Sequence, residues 1–170
     1  GNVTNSGAIS ADGTTATINA NAGASDITLN DAGNDFGTVE LTGTTVSIND
    51  IDDITLGAST INGVFTLTAG GGVSDSGAVT VAGTADMTAA GQTITLNQTD
   101  FQSGVTISTA GAAGQAGGAV DISDTADDLT ITSLDTSGGL GDFSAGTVTL
   151  TAVTNLNIDG DVLAAGGAIN

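Results

Sequence analysis

Apolar and polar residues alternate along almost the whole chain in short triplets of the form apolar, small polar, apolar. They read Ile27-Thr28-Leu29, Val39-Glu40-Leu41, Val46-Ser47-Ile48, Ile54-Thr55-Leu56, Phe65-Thr66-Leu67, Val79-Thr80-Val81, Ile94-Thr95-Leu96, Val105-Thr106-Ile107, Leu129-Thr130-Ile131 and Val148-Thr149-Leu150. A period of two puts both apolar side chains on one face and the polar one on the other, so each triplet predicts a short β-strand. The apolar members are expected inside, with Thr28, Thr55, Thr95 and Thr149 pointing outward. No window of helical length carries apolar residues at three-and-four spacing, so the expected fold class is all-β.

Between the triplets, Gly, Asn and Asp recur every few residues and mark tight turns. The Asn-Gly and Asp-Gly pairs of two-residue hairpins are scarce there, so strands that reverse direction are not expected. A chain of this kind satisfies its strands by winding one way, each strand stacking on the equivalent strand of the next turn. This predicts a right-handed parallel β-helix, a β-solenoid.

Internal similarity points the same way. Ser6-Gly7-Ala8-Ile9 returns as Ser76-Gly77-Ala78-Val79, Ile27-Thr28-Leu29-Asn30 as Ile94-Thr95-Leu96-Asn97, and Asp35-Phe36 as Asp100-Phe101, at offsets of 70, 67 and 65. Val46-Ser47-Ile48 with Asp52-Asp53-Ile54 returns as Val120-Asp121-Ile122 with Asp127-Asp128-Leu129. The extra segment Ala110–Gly118 reads as a loop inserted between strands, and Phe36 and Phe101 are expected to share one repeat position. Asp142-Phe143 marks a third copy, 42 residues after the second. Spacings of 65 and 42 are near multiples of 21, which gives roughly eight coils of about 21 residues and a rod near 40 Å long. The chain therefore divides into degenerate repeats over about 1–70 and 71–145, with a third begun at 146–170, in one solenoid segment of a longer array.

Composition sharpens the picture. Thr occurs 29 times and Gly 27 times, whereas only 2% of residues are aromatic, all of them Phe. Thin, β-branched side chains suit a narrow sheet-lined interior. There is no Cys, so such a fold stands without disulfides. No apolar run is long enough to span a bilayer and no export signal opens the chain, which reads as a piece of something longer. With 18 Asp, one Glu and no Lys, Arg or His, the formal charge is −19, a surface that repels nucleic acid and anionic lipid.

The succession Asn34-Asp35-Phe36-Gly37, Val46-Ser47-Ile48-Asn49-Asp50, Ile54-Thr55-Leu56-Gly57, Leu67-Thr68-Ala69-Gly70-Gly71 and Ser76-Gly77-Ala78-Val79-Thr80-Val81 resembles the repeat arrays of filamentous-haemagglutinin-like giant proteins. The resemblance covers essentially the whole chain. It implies a β-helical exoprotein of the bacterial cell surface, exported across an outer membrane and acting in adhesion, biofilm or cell-cell contact. The expected partners are neighbouring repeats of the same chain, with other cells or a host surface met through regions outside this segment, and lateral self-association between shafts is left open.

Composition leaves little catalytic chemistry. Nucleophilic triads need His, P-loops need Lys, and zinc sites need Cys or His. A carboxylate pair can hydrolyse a glycoside, but sugar clefts rely on aromatic platforms and the chain has no Trp or Tyr. The acidic clusters Asp50, Asp52, Asp53 and Asp124, Asp127, Asp128 are the candidates either for such a pair or for Ca²⁺, an oxygen-seeking cation. Their plainer reading is as turn residues that hydrogen-bond local backbone. Asn2-Val3-Thr4 and Asn97-Gln98-Thr99 fit the glycosylation pattern, and paired Thr such as Thr66-Leu67-Thr68 fit ordinary strand propensity. The expected role is structural, a stiff acidic stalk or filament shaft rather than an enzyme, with a calcium-dependent binding module as the alternative.

Overall fold

The computed structural model describes residues 1–20, 24–140 and 144–164. Among them lie eighteen strands and no helix. The strands form two nine-stranded sheets in which every pairing is parallel.

The first sheet runs in the order β1 (Val3–Thr4), β3 (Ile27–Leu29), β5 (Val46–Asp50), β8 (Phe65–Ala69), β11 (Ala85–Ala89), β13 (Val105–Ser108), β15 (Leu129–Asp135) and β17 (Leu156–Ile158), with β18 (Val162–Leu163) also on β15. The second contains β2 (Ser10–Asn19), β4 (Asp35–Gly43), β6 (Ile54–Leu56), β7 (Ser59–Ile61), β9 (Val73–Asp75), β10 (Val79–Val81), β12 (Ile94–Phe101), β14 (Val120–Asp124) and β16 (Val148–Thr151). The long strands β4 and β12 each hold two neighbours on one side. The start of β4 pairs with β6 and its end with β7, while β12 receives β9 at its start and β10 at its end.

The register explains the core. Val46 pairs with Phe65, Phe65 with Ala85 and Ala85 with Val105, steps of 19 or 20 residues that stack inward side chains in columns. A large ring beside a small methyl keeps such a column filled without overpacking. The neighbouring column runs Ile48, Leu67, Met87 and Ile107, all buried. In the second sheet Ile54, Val73, Ile94, Val120 and Val148 form another. The apolar triplet positions are buried as expected, except Leu150, which is half-buried on β16, the last strand described in its sheet. Thr28 is exposed, and Thr55, Thr95 and Thr149 face out at partial exposure. Thr55 and Ser74, opposite one another, share a hydroxyl hydrogen bond of 3.1 Å.

One expectation is corrected. Segments alike in sequence do not occupy like places: Ile27-Thr28-Leu29 is in the first sheet and Ile94-Thr95-Leu96 in the second, and Val46 and Val120 are divided the same way. Phe36 stands opposite Ala11 near the start of β4, whereas Phe101 stands opposite Val81 at the end of β12, so the two rings share no column. An offset of about 67 residues is not a whole number of 19- or 20-residue steps, and the triplet motif is the same on either sheet. Both rings are nonetheless buried, each 1% exposed. Asp142-Phe143 and the last residues, Gly167 to Asn170, lie outside the described residues.

The segment 110–118 is an insertion between β13 and β14, as expected, and a second one between β15 and β16 lies over it. Thr109, fully buried, closes the first by donating its hydroxyl to the Gly118 carbonyl at 2.7 Å, and buried Thr136 closes the second on Gly146 at 3.3 Å. The two are stitched by backbone bonds from Gly111 to Ser137 and from Gly139 to Gln115, at 2.8 and 2.9 Å. A methyl group at Gly117 would collide with the Thr136 carbonyl, and one at Gly139 with that of Ala112, so close backbone stacking requires glycine there. The added residues widen the register step to 28, from Val120 to Val148.

Candidate functional site

The six candidate carboxylates lie in two turns that are alike in plan. The first, after β5, holds Asp50, Asp52 and Asp53; the second, after β14, holds Asp124, Asp127 and Asp128. In each turn the first Asp is at an inward position of its strand and is buried, Asp50 at 5% exposure and Asp124 at 2%. The other four are exposed.

The buried members do the same work. Asp50 Oδ1 accepts the Phe36 backbone N–H at 2.7 Å, and Oδ2 accepts that of Asp52 at 3.3 Å. Asp124 Oδ2 accepts the Phe101 N–H at 2.8 Å, and Oδ1 accepts those of Ala126 and Asp127 at 3.1 and 3.2 Å. A buried carboxylate with no cation to face needs such donors. Outside, Asp53 Oδ1 takes the Gly72 N–H at 2.6 Å, and Asp128 Oδ1 takes the backbone and side-chain N–H groups of Asn155 at 3.0 and 2.8 Å. These contacts tie turns of neighbouring levels together. Only the bonds of Asp50 to Asp52 and of Asp124 to Ala126 and Asp127 are to local backbone, while Asp53 and Asp128 reach residues 19 and 27 positions away. Among the described residues, no group of three or more Asp or Glu side chains converges to hold a metal ion.

Sequence reasoning missed the partners of these turns. Beside the first lies Asp35 on β4, whose Oδ1 is buried and has no hydrogen-bond partner; beside the second lies Asp100 on β12, with the same orphan oxygen. The signal was present in the recurring Asp-Phe pair, which marked a repeat without suggesting chemistry. Asn34, fully buried, was also missed: it donates to the Leu29 and Asn49 carbonyls and accepts from Asn5 Nδ2 and the Ile9 N–H, joining three segments. Asp75 grips the Asn97 and Gln98 amides where β12 bulges. Thr99 of the second glycosylation pattern is fully buried, donating to the Ser123 carbonyl.

The electrostatics of the first turn are pronounced. Burial pushes the Asp50 carboxyl up to about 6; the Phe36 and Asp52 amides oppose that rise, and the charges of Asp52 and Asp35 add to it. Asp35 is also raised, by burial first and then by Asp52 and Asp12. Along the second turn runs an open groove of about 560 Å³, lined by Phe101, Gln102, Ser103, Asp127, Asp128 and Asn155 among others. It offers hydroxyl, amide and carboxylate groups and no cation.

No curated protein and no solved structure matches the chain. A family model described as repeats of unknown function (DUF5649) matches it twice, over residues 1–42 and 43–108. The two adjoining matches cover more than half of the sequence, and the chain therefore belongs to this family of repeats.

Proposed function

We propose that the chain is a structural element, a segment of right-handed parallel β-solenoid that serves as the stalk or shaft of a large secreted protein at a bacterial cell surface. The observation that carries this reading is the continuous parallel pairing from β1 to β17, with buried apolar residues stacked in register from β3 through β5, β8 and β11 to β13. Such a ladder is quasi-one-dimensional: each level is held by the levels on either side, and length is gained without a larger core. Right-handed crossovers are the rule for parallel strands joined this way.

The resemblance to filamentous-haemagglutinin-like arrays supports an extracellular setting and a part in adhesion, cell-cell contact or biofilm, with receptors engaged by regions outside this segment. Degenerate repeats over about 1–70, 71–145 and 146–170 belong to the same reading, with neighbouring repeats as the immediate partners. The composition supports a non-enzymatic role, since it lacks every basic side chain and every Trp and Tyr.

Small-angle scattering combined with thermal melting tests the proposal. A shaft gives a rod-like profile and a melting temperature that is the same in chelator and in millimolar Ca²⁺. A globular profile removes the stalk reading. A melting temperature that climbs by about 10 °C with Ca²⁺ favours a calcium-dependent surface module instead, because a ligand that binds only the folded state stabilises it.

A further inference from the structure

Asp50 is a buried titratable group that a purely structural ladder does not require. It ends β5 in register with Ala69 of β8, and it accepts the Phe36 amide. The titratable groups on the elements around it are Asp35 on β4, Asp52 and Asp53 in its own turn, Asp31 ahead of β4 and Asp12 on β2. All are acids, β8 contributes none, and no cationic side chain exists anywhere in the sequence. The ionised turn thus crowds like charges around a desolvated carboxylate while Asp35 Oδ1, also buried, has no donor.

A proton on Asp50 relieves the crowding of charge. Asp50 Oδ1 stays committed to the Phe36 N–H at 2.7 Å, so the proton goes to Oδ2, whose bond to the Asp52 amide is the longer at 3.3 Å. Protonation removes the central charge and gives this turn an O–H donor, which it otherwise lacks. We propose that Asp50 makes the turn a pH-sensitive brace, which takes up a proton in mildly acidic surroundings and so steadies the fold where the end of β5 meets the start of β4, by removing a desolvated charge from among like charges.

The direction follows from linkage. The folded-state value, about 6, lies above the ordinary 3.8, so the stabilising contribution is complete below about pH 4 and is lost as pH rises through 6. The brace therefore strengthens on acidification across the window in which most proteins begin to lose carboxylate interactions.

The test combines a carboxyl carbon NMR titration of the unaltered protein with melting temperatures near pH 7.5 and pH 5.5 for it, for Asp50→Asn and for the exposed-site control Asp86→Asn. The expected titration midpoint of Asp50 is about 6. The unaltered protein and the control should melt roughly 3 °C higher at the lower pH, and Asp50→Asn should show a much smaller rise. A midpoint near the ordinary 3.8, or a rise that survives undiminished in Asp50→Asn, overturns the proposal. Should Asp50→Asn fail to fold, the titration of the unaltered protein still decides.

Discussion

The turns around Asp50 and Asp124 use one device under different loads. Each buries an aspartate that receives the backbone N–H of a buried Phe from another strand. Asp124 collects three N–H donors, and Asp50 collects two, one of them long. Asp50 also has Asp35 and Asp52 close enough to raise its carboxyl. In a chain without cations, backbone donors are what a buried carboxylate has to face: Asp124 is a latch built on three of them, while Asp50, with two, takes up a proton on acidification.

The largest effect expected from breaking this pairing comes from the rings themselves. Phe36→Ala and Phe101→Ala should each cost about 4 kcal/mol in denaturant unfolding, since both rings are buried and a narrow core closes poorly over a void. A loss under about 1 kcal/mol in either would mean that its ring fills no core space.

Next come the two latches. Asp124→Ala orphans three amides and should cost about 3 kcal/mol, whereas Asp50→Ala at neutral pH should cost about 1 kcal/mol, because losing two bonds is offset by losing a strained charge. Equal losses in the two variants at pH 7.5 would remove the distinction between the turns. The smallest effect is general: raising salt from about 10 to 150 mM should lift the melting temperature slightly in every variant, as screening relieves the exposed Asp residues. A melt indifferent to salt would show that these residues are too far apart or too well bonded to repel.

The strands were legible in the sequence because a triplet such as Ile54-Thr55-Leu56 needs only its own alternation to announce an inside and an outside. Which sheet a triplet joins was not legible. Ile27-Thr28-Leu29 and Ile94-Thr95-Leu96 are identical and lie on different sheets, since assignment depends on the length of every connection before them. The same limit hid the site. Aspartates in Gly- and Asp-rich turns are usually solvated, and only the register turns Asp50 and Asp124 inward. The first insertion was plain in its run of Gly and Ala; the second carried no such run, and Asp142-Phe143 lies outside the described residues.

The stacked insertions have a bearing on how such a chain can change over time. Because Gly111, Gly117 and Gln115 of the first insertion are bonded amide to carbonyl with Ser137, Ser144 and Gly139 of the second, these residues of one meet residues supplied by the other. A deletion confined to one level would strip partners from its neighbour, and a side chain added at Gly117 would strike the backbone beyond it. A change of length at this flank is therefore expected to be tolerated only when both levels change together, like rows of a knitted fabric. A peptide grafted there for display would have to be entered twice, once in each level, to be tolerated.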